Sequence, residues 1–329
     1  MSLTEQQRRI LALLADGSFH SGSALAEALG VSRTSVWKQL SVLSDLGLEY
    51  AAISGKGYRL ARPIEFLDRT RILSALDPDL ETLVPRLEIY DCLDSTNTRL
   101  VELAKEQLPS GIVCLAEFQS AGRGRRGRHW VSPFGCNIYL SLLWRFTSGP
   151  AVISGLSLAI GVAVVRALSR LGFSDVGLKW PNDIYCQARK LGGILVEVVG
   201  ETHGPCTTVI GLGLNVYLPE QNAKTIDKPW TDLTRIANGE PVSRNRLVGE
   251  LLNELLPVVC AYENEGLARY LDEWRRYDCL YGQPVSLFQA DAVISGNALG
   301  IDDNGLFLIE VEDGNVRRFA SGDVSFSSH

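Results

Sequence analysis

The sequence predicts an α+β chain in three parts: an N-terminal winged helix-turn-helix, a central mixed α/β domain and a small C-terminal β-barrel. Three observations carry this. Two short amphipathic helices separated by a glycine turn stand near the start, followed by a basic hairpin. Strand-like and helical runs then alternate from Leu87 to about Tyr277. After Gln283 short strands are punctuated by Asp303-Asn304-Gly305 and Asp313-Gly314-Asn315. A chain of 329 residues has room for about two or three domains. Boundaries are expected where Arg62-Pro63 breaks the pattern and again near 278, giving parts 1–62, 63–278 and 279–329.

The first helix is expected over 4–15, with Thr4 as its N-cap and Ile10, Leu11, Leu13 and Leu14 on one stripe. Ser21 or Ser23 caps a second helix carrying Leu25, Ala26 and Leu29, which Gly30 ends. Ser32 caps a third with Val36, Leu40, Val42, Leu43 and Leu46, closed by Gly47. A glycine turn between the last two makes a helix-turn-helix whose second helix would lie in the DNA major groove. Ser32, Arg33, Thr34, Ser35 and Lys38 lie at its start, where base and phosphate contacts are made, and Lys56 tips the wing. A helical dimerisation module is the alternative. Residues 64–78 suggest a linking helix. Strands are expected at 87–93, 111–118, 137–144, 193–200 and 207–216, a helix at 152–172, and a long helical region at 244–277 interrupted near Pro257 and Gly266.

The formal net charge of −6 excludes a uniformly basic nucleic-acid coat, yet the first 62 residues carry +2. Seven cysteines without a close pair argue against a disulfide framework or a zinc ribbon, and the four histidines lack metal-ligand spacing, so no metal site is expected in the protein itself. Free thiols in a reducing compartment follow. The first residues carry no secretory pattern, and the most apolar stretch, Ala151 to Val165, falls short of the ~20 residues that span a bilayer. A cytoplasmic protein is expected.

Gly122-Arg123-Gly124-Arg125-Arg126-Gly127 matches a dinucleotide fingerprint by spacing alone, but Trp130, Pro133 and Gly135 forbid the helix that should follow. What the segment supplies is four arginines, to Arg128, on a glycine-rich backbone, able to fold over a polyanion. Lys179-Trp180-Pro181-Asn182-Asp183 ends a strand in a turn, and Arg189-Lys190-Leu191-Gly192-Gly193 leads into a buried strand. Lys190 is a candidate point charge for a carboxylate or α-phosphate, and the double glycine lets a ligand approach the backbone. Lys179 and Lys190 could each be ordinary surface lysines. By spacing alone Ser95-Thr96-Asn97 is a helix cap. Gly211 and Gly213 thin a strand so that something packs against it.

In this order these segments resemble the bacterial family of bifunctional biotin–protein ligases and biotin operon repressors, over nearly the whole length. Lipoate ligases share the core but not the arginine loop and N-terminal module together. The resemblance implies a class II synthetase-like catalytic domain and an SH3-like barrel. It implies that biotin as substrate and ATP, with Mg2+ on the nucleotide, form biotinyl-5′-AMP. The biotinyl group then passes to a lysine of the biotin carboxyl carrier protein of acetyl-CoA carboxylase.

By the same resemblance, Ser95, Thr96 and Asn97 would bond the ureido end of biotin. Gln119, Arg123, Gly124, Arg125, Gly193 and Gly211 would line its site, and Lys190 would stand at the carboxylate and α-phosphate. Arg125, Arg126, Arg128, Asn215 and Trp230 would hold ATP or the adenylate, Trp230 stacking on adenine. His129 departs from the family, which often has Lys before the Trp.

Joining two anions demands positioning and charge neutralisation, so Lys190, Arg123 and Arg125 are the expected catalytic residues, with no protein nucleophile. Asp183 is a candidate helper in freeing the acceptor amine. Operator binding is expected to need a homodimer, formed through the strand Gly193–Gly200 and competing with the carrier protein for one surface. The competing readings are a biotin-sensing repressor without ligase activity, and a ligase whose N-terminal part is a relic.

Overall fold

A capping box starts α1 (Glu5–Leu14): the Thr4 hydroxyl accepts from the Gln7 amide while the Gln7 side chain accepts from the Thr4 amide. The computed structural model describes residues 3–41, 43, 46–106, 108–200, 204–289 and 292–327. Ser21, not Ser23, caps α2 (Gly22–Leu29), and Gly30 ends it at φ 65°. Ser32 accepts from the Ser35 amide at the head of α3 (Arg33–Ser41), which turns Val36 and Leu40 inward. Val42, expected on that stripe, lies outside the described residues. The wing is β1 (Tyr50–Ile53) paired antiparallel with β2 (Gly57–Leu60). The core under these elements is completed from outside by Ile64 and Phe134. The Phe134 amide donates to the Leu46 carbonyl at 3.0 Å, so the segment leaving the arginine loop is fastened to the helix-turn-helix.

The linker expected to be helical over 64–78 is helical only in α4 (Arg69–Ser74), followed by a 3-10 turn at Pro78–Leu83. Two long-range bonds draw out its first part. The Leu67 amide donates to Glu117 at 2.6 Å and the Asp68 amide to Asn245 at 2.7 Å, donors that a longer helix would have used within itself.

The central part runs β3 (Arg86–Leu93), α5 (Thr96–Leu103), β4 (Ile112–Gln119), β5 (Ile138–Phe146), α6 (Leu156–Arg170), β6 (Val176–Lys179), β7 (Asp183–Cys186), β8 (Arg189–Val199), β9 (Cys206–Leu214), α7 (Glu220–Ala223), α8 (Leu233–Ile236), α9 (Arg244–Glu265) and α10 (Leu271–Tyr277). Its seven strands lie in the order β3-β4-β5-β9-β8-β7-β6, with β3 parallel to β4 and the other neighbours antiparallel. Helix α6 packs against both α9 and the sheet, and a smaller apolar cluster lies under α5. Pro257 was expected to interrupt the helical region, but α9 runs through it and stops only at Gly266. Leu255, Leu256, Val258 and Val259 around it are buried, and that packing holds the helix despite the missing donor.

The C-terminal part is a five-stranded antiparallel sheet of β10 (Pro284–Gln289), β11 (Ala292–Ile301), β12 (Phe307–Glu310), β13 (Val316–Phe319) and β14 (Asp323–Phe326). Its apolar side merges with the central core. Trp180, from the turn between β6 and β7, stacks on Phe307 at 5.2 Å and donates to the Gly305 carbonyl at 3.1 Å. All seven cysteines are unpaired. Among the described residues, no helix is long and apolar enough to cross a membrane.

Candidate active site

One cavity gathers the chemistry-bearing segments. Ser95, Thr96, Asn97, Gln119, Arg123, Gly124, Arg125, Arg126, Arg128, Asp183, Lys190, Gly193, Gly211, Asn215 and Trp230 all line it. Its floor is polar and buried. Ser95 occupies the N-cap position of α5 but makes no capping bond, which leaves its hydroxyl for the cavity. The Thr96 amide donates to Gln119 at 2.8 Å, and the Gln119 side-chain amide donates to the Ser132 hydroxyl at 3.1 Å. Asn97 donates to Glu197 at 2.9 Å, and the Ser141 hydroxyl donates to Asn97 at 2.6 Å. Ser141 and Ser132 were not singled out from the sequence. The two glycines of β9 have separate tenants. A Cβ on Gly211 would lie 2.2 Å from the Asn97 oxygen, and one on Gly213 would lie 2.6 Å from the Trp130 ring.

The arginine loop arches over this floor. Arg123 bridges to His129, and Arg126 adopts φ 56° within a short 3-10 turn. Arg123 pairs with Glu197 at 2.6 Å, and Arg125 donates to Asn182 at 3.0 Å. Burial, reinforced by the neighbouring Arg126, pushes the Arg125 guanidinium below its usual range, a crowding of cations that an anion would relieve.

At the mouth of β8, Lys190 Nζ lies 2.7 Å from one oxygen of Asp183. Lys179 Nζ lies 3.6 Å from the other, so Asp183 stands between two ammonium groups. Lys179 is no surface residue: it is 3% exposed, and burial pushes its pKa down against the pull of Asp183. Strand β8 also holds the loop that carries Trp230. The Lys190 amide donates to the Pro229 carbonyl and the Thr231 amide to the Lys190 carbonyl, each at 2.9 Å. The Arg235 guanidinium lies 4.0 Å over the Trp230 ring. Among the described residues no group of three or more His, Cys, Asp or Glu could hold a metal ion.

Residues 89–215 match the biotin/lipoate A/B protein ligase family, residues 6–59 an HTH domain, and residues 281–327 the biotin protein ligase C-terminal domain. The bifunctional ligase/repressor BirA of Escherichia coli is 42% identical over 320 residues, covering 97% of each chain. The chain belongs to the bifunctional biotin ligase/repressor family. Another member, BirA of Bacillus subtilis, is 32% identical over 94% of each chain. The biotin protein ligase from Aquifex aeolicus, solved in complex with biotin and ATP, superposes with a TM-score of 0.63 at 27% identity, covering 74% of this chain and 100% of that one.

In this member of the biotin ligase/repressor family, part of the cavity comes from beyond the ligase match. Lys228 belongs to the loop before Trp230, and Gly322 and Asp323 to the C-terminal sheet. Asp323 takes Arg128 of the arginine loop at 2.5 Å and Lys228 at 2.9 Å, so one carboxylate latches two loops to the C-terminal sheet. Burial alone would push that carboxyl up, but the hydrogen bonds from Lys228 and Arg128 outweigh it and hold it at about 2. Its contribution is therefore complete above the unfolded value of about 4 and fades only as pH falls toward the native one.

Asp323→Asn should speed amide exchange across residues 123–128 and 226–230 by about three-fold at neutral pH, the scale of two partly exposed ion pairs. Unchanged exchange would show that the loops are held by other contacts. The DNA-facing candidates form a separate surface. Ser32, Arg33, Thr34, Lys38 and Lys56 are exposed, Ser35 is half-buried, and none lines the cavity.

Proposed function

We propose that the chain is a cytoplasmic enzyme that condenses biotin with ATP to biotinyl-5′-AMP. It then transfers the biotinyl group to a lysine of the biotin carboxyl carrier protein of acetyl-CoA carboxylase, and its adenylate-bound dimer binds operator DNA to repress biotin synthesis. The supporting observation is the cavity itself, in which a polar floor of Ser95, Thr96, Asn97 and Gln119 faces Lys190 and a roof of arginines. The floor suits the ureido end of biotin. Lys190, Arg123 and Arg125 suit the carboxylate and α-phosphate, where a carboxylate oxygen attacks phosphorus and pyrophosphate leaves. Arg126 and Arg128 extend the cationic roof toward the remaining phosphates, and Asn215 and Trp230 bound the nucleotide side. Gly193 lets the ligand lie against the backbone, while Gly211 makes room for Asn97, which faces that ligand from the floor.

Neutralisation and alignment are what this reaction needs, and neither step calls for a protein nucleophile. Mg2+ would arrive on the nucleotide, held chiefly by its phosphates. In the second step the acceptor amine attacks the acyl carbon and AMP leaves, and Asp183 is our candidate to take the amine's proton. Closure of the loop Gly122–Arg128 over the adenylate keeps it from water.

We place functional boundaries near 62 and 278, giving DNA-binding, catalytic and barrel parts. We keep the dimer strand within Gly193–Gly200 but not at its first residue, because β7 covers β8 over Arg189–Gly193 and Gly193 is therefore no edge. Beyond Gly193 only β9 pairs with it among the described residues, which leaves Val196–Val199 free on the other side, with Val198 exposed. That half-strand is our candidate for the shared surface of dimer and carrier protein.

Biotin-dependent exchange of labelled pyrophosphate into ATP tests the ligase reading. Exchange that is absent while biotin still binds would favour a repressor that only senses biotin. Ligase activity without salt-dependent operator binding would make the N-terminal part a relic.

A further inference from the structure

We propose that Trp37 is a specificity-determining residue of the DNA-binding surface, reading a thymine methyl group in the major groove. This rests on the operator-binding reading above. Arg33, Thr34, Trp37, Lys38 and Ser41 recur at helical spacing along α3 and are all exposed, while Val36 and Leu40 on the opposite side are buried. Trp37 stands in the middle of that face with 56% of its surface open, whereas the other two apolar side chains of this helix, Val36 and Leu40, are fully buried. An indole left in water on a small domain gives up a large burial that packing would have supplied.

The surroundings identify what covers the indole. Helix α3 carries no acidic residue, Arg33 and Lys38 flank the indole along the same face, and Lys56 extends the positive surface to the wing turn. An apolar plate between cations fits a duplex, with the cations on phosphates and the plate on base edges. Indole has a single donor and no acceptor, so it cannot form a bidentate pair with guanine or adenine. The apolar group displayed on major-groove base edges is the C5-methyl of thymine, and a flat hydrocarbon surface at the centre of a recognition helix is suited to it. Trp37 falls between Ser35 and Lys38 but was not singled out from the sequence, because only exposure separates it from a core tryptophan.

The test uses the full chain with biotin and ATP. Duplexes are selected from a random pool, and each thymine of the enriched site is then replaced singly by deoxyuridine, which deletes only the methyl. At one thymine per half-site the replacement should weaken parent binding about four-fold, the value of one buried methyl group. Trp37→Ala should bind the thymine and uracil duplexes equally, and Trp37→Phe should restore part of the difference. Pyrophosphate exchange should be the same in all three proteins, since Trp37 is remote from the cavity lining.

Neutral replacement at every thymine in the parent would overturn the inference. So would a Trp37→Ala protein that keeps the uracil penalty, or one that loses affinity equally for all duplexes, which would make the indole a backbone contact or a seat for another protein. Failure of the parent to enrich any sequence would overturn the operator reading itself, and this inference with it.

Discussion

Lys190→Ala should slow biotin-dependent pyrophosphate exchange by about two orders of magnitude, the ~3 kcal/mol typical of removing one donor aimed at developing charge. The expectation comes from where the ammonium sits. It is 26% exposed at the cavity wall, 2.7 Å from Asp183 and 5.6 Å from the Trp130 ring, so it is neither locked in the core nor free in solvent. A ligand phosphate or carboxylate would draw it off Asp183, and Lys179 would remain on the other carboxylate oxygen to limit the repulsion. Alanine deletes the mobile charge and leaves the strand hydrogen bonds of residue 190, which are backbone bonds, untouched. Thermal unfolding should therefore change little while exchange collapses. Near-normal exchange would remove Lys190 from the reacting centre, and equal losses of exchange and of fold would make it a structural ion pair with Asp183.

The sequence exposes most of this cavity because its parts lie in short segments whose oddities have local causes. Glycine next to arginine, a double glycine after Lys190 and the thinned strand at Gly211 and Gly213 are each unusual where they stand. The elements were visible for the same reason. Gly30 and Gly47 adopt positive φ where helices had to stop, and the Thr4 and Ser32 caps are satisfied by neighbours three residues away. What escaped is non-local. Asp323 meets Arg128 across 195 residues of chain and comes from a short strand, β14, that the turn signals did not mark. The burial of Lys179 follows from the turn that docks Trp180 on Phe307, and the seat of Phe134 in the helix-turn-helix core from a hydrogen bond to Leu46. Pro257 misled in the opposite way, because a local rule about proline yielded to packing on both sides of it.

The same non-local logic makes Glu117→Ala the substitution expected to cost most stability, about 3–5 kcal/mol. Glu117 lies on β4, two residues before Gln119 of the cavity floor, and is 2% exposed. Its partner is Arg244 at the head of α9, 3% exposed, with Nη2 at 2.8 Å from Oε2. The approach is close but poorly aligned, and neither of those two atoms completes a hydrogen bond, so the pair is held by charge more than by direction. The remaining groups are well used. Glu117 Oε1 accepts from the Leu67 amide, while Arg244 donates to the carbonyls of Asn137 at 3.1 Å and Glu65 at 2.9 Å. Removing the carboxylate strands a buried guanidinium and the Leu67 donor together, whereas Glu117→Gln keeps the acceptor for Leu67 and strands only the charge. The urea midpoint should therefore fall furthest for Ala and less for Gln, and Glu117→Ala combined with Arg244→Met should recover part of the loss. Single and double variants that lose stability additively would show that the two charges do not depend on each other, and that β4 and α9 are joined by their apolar contacts alone.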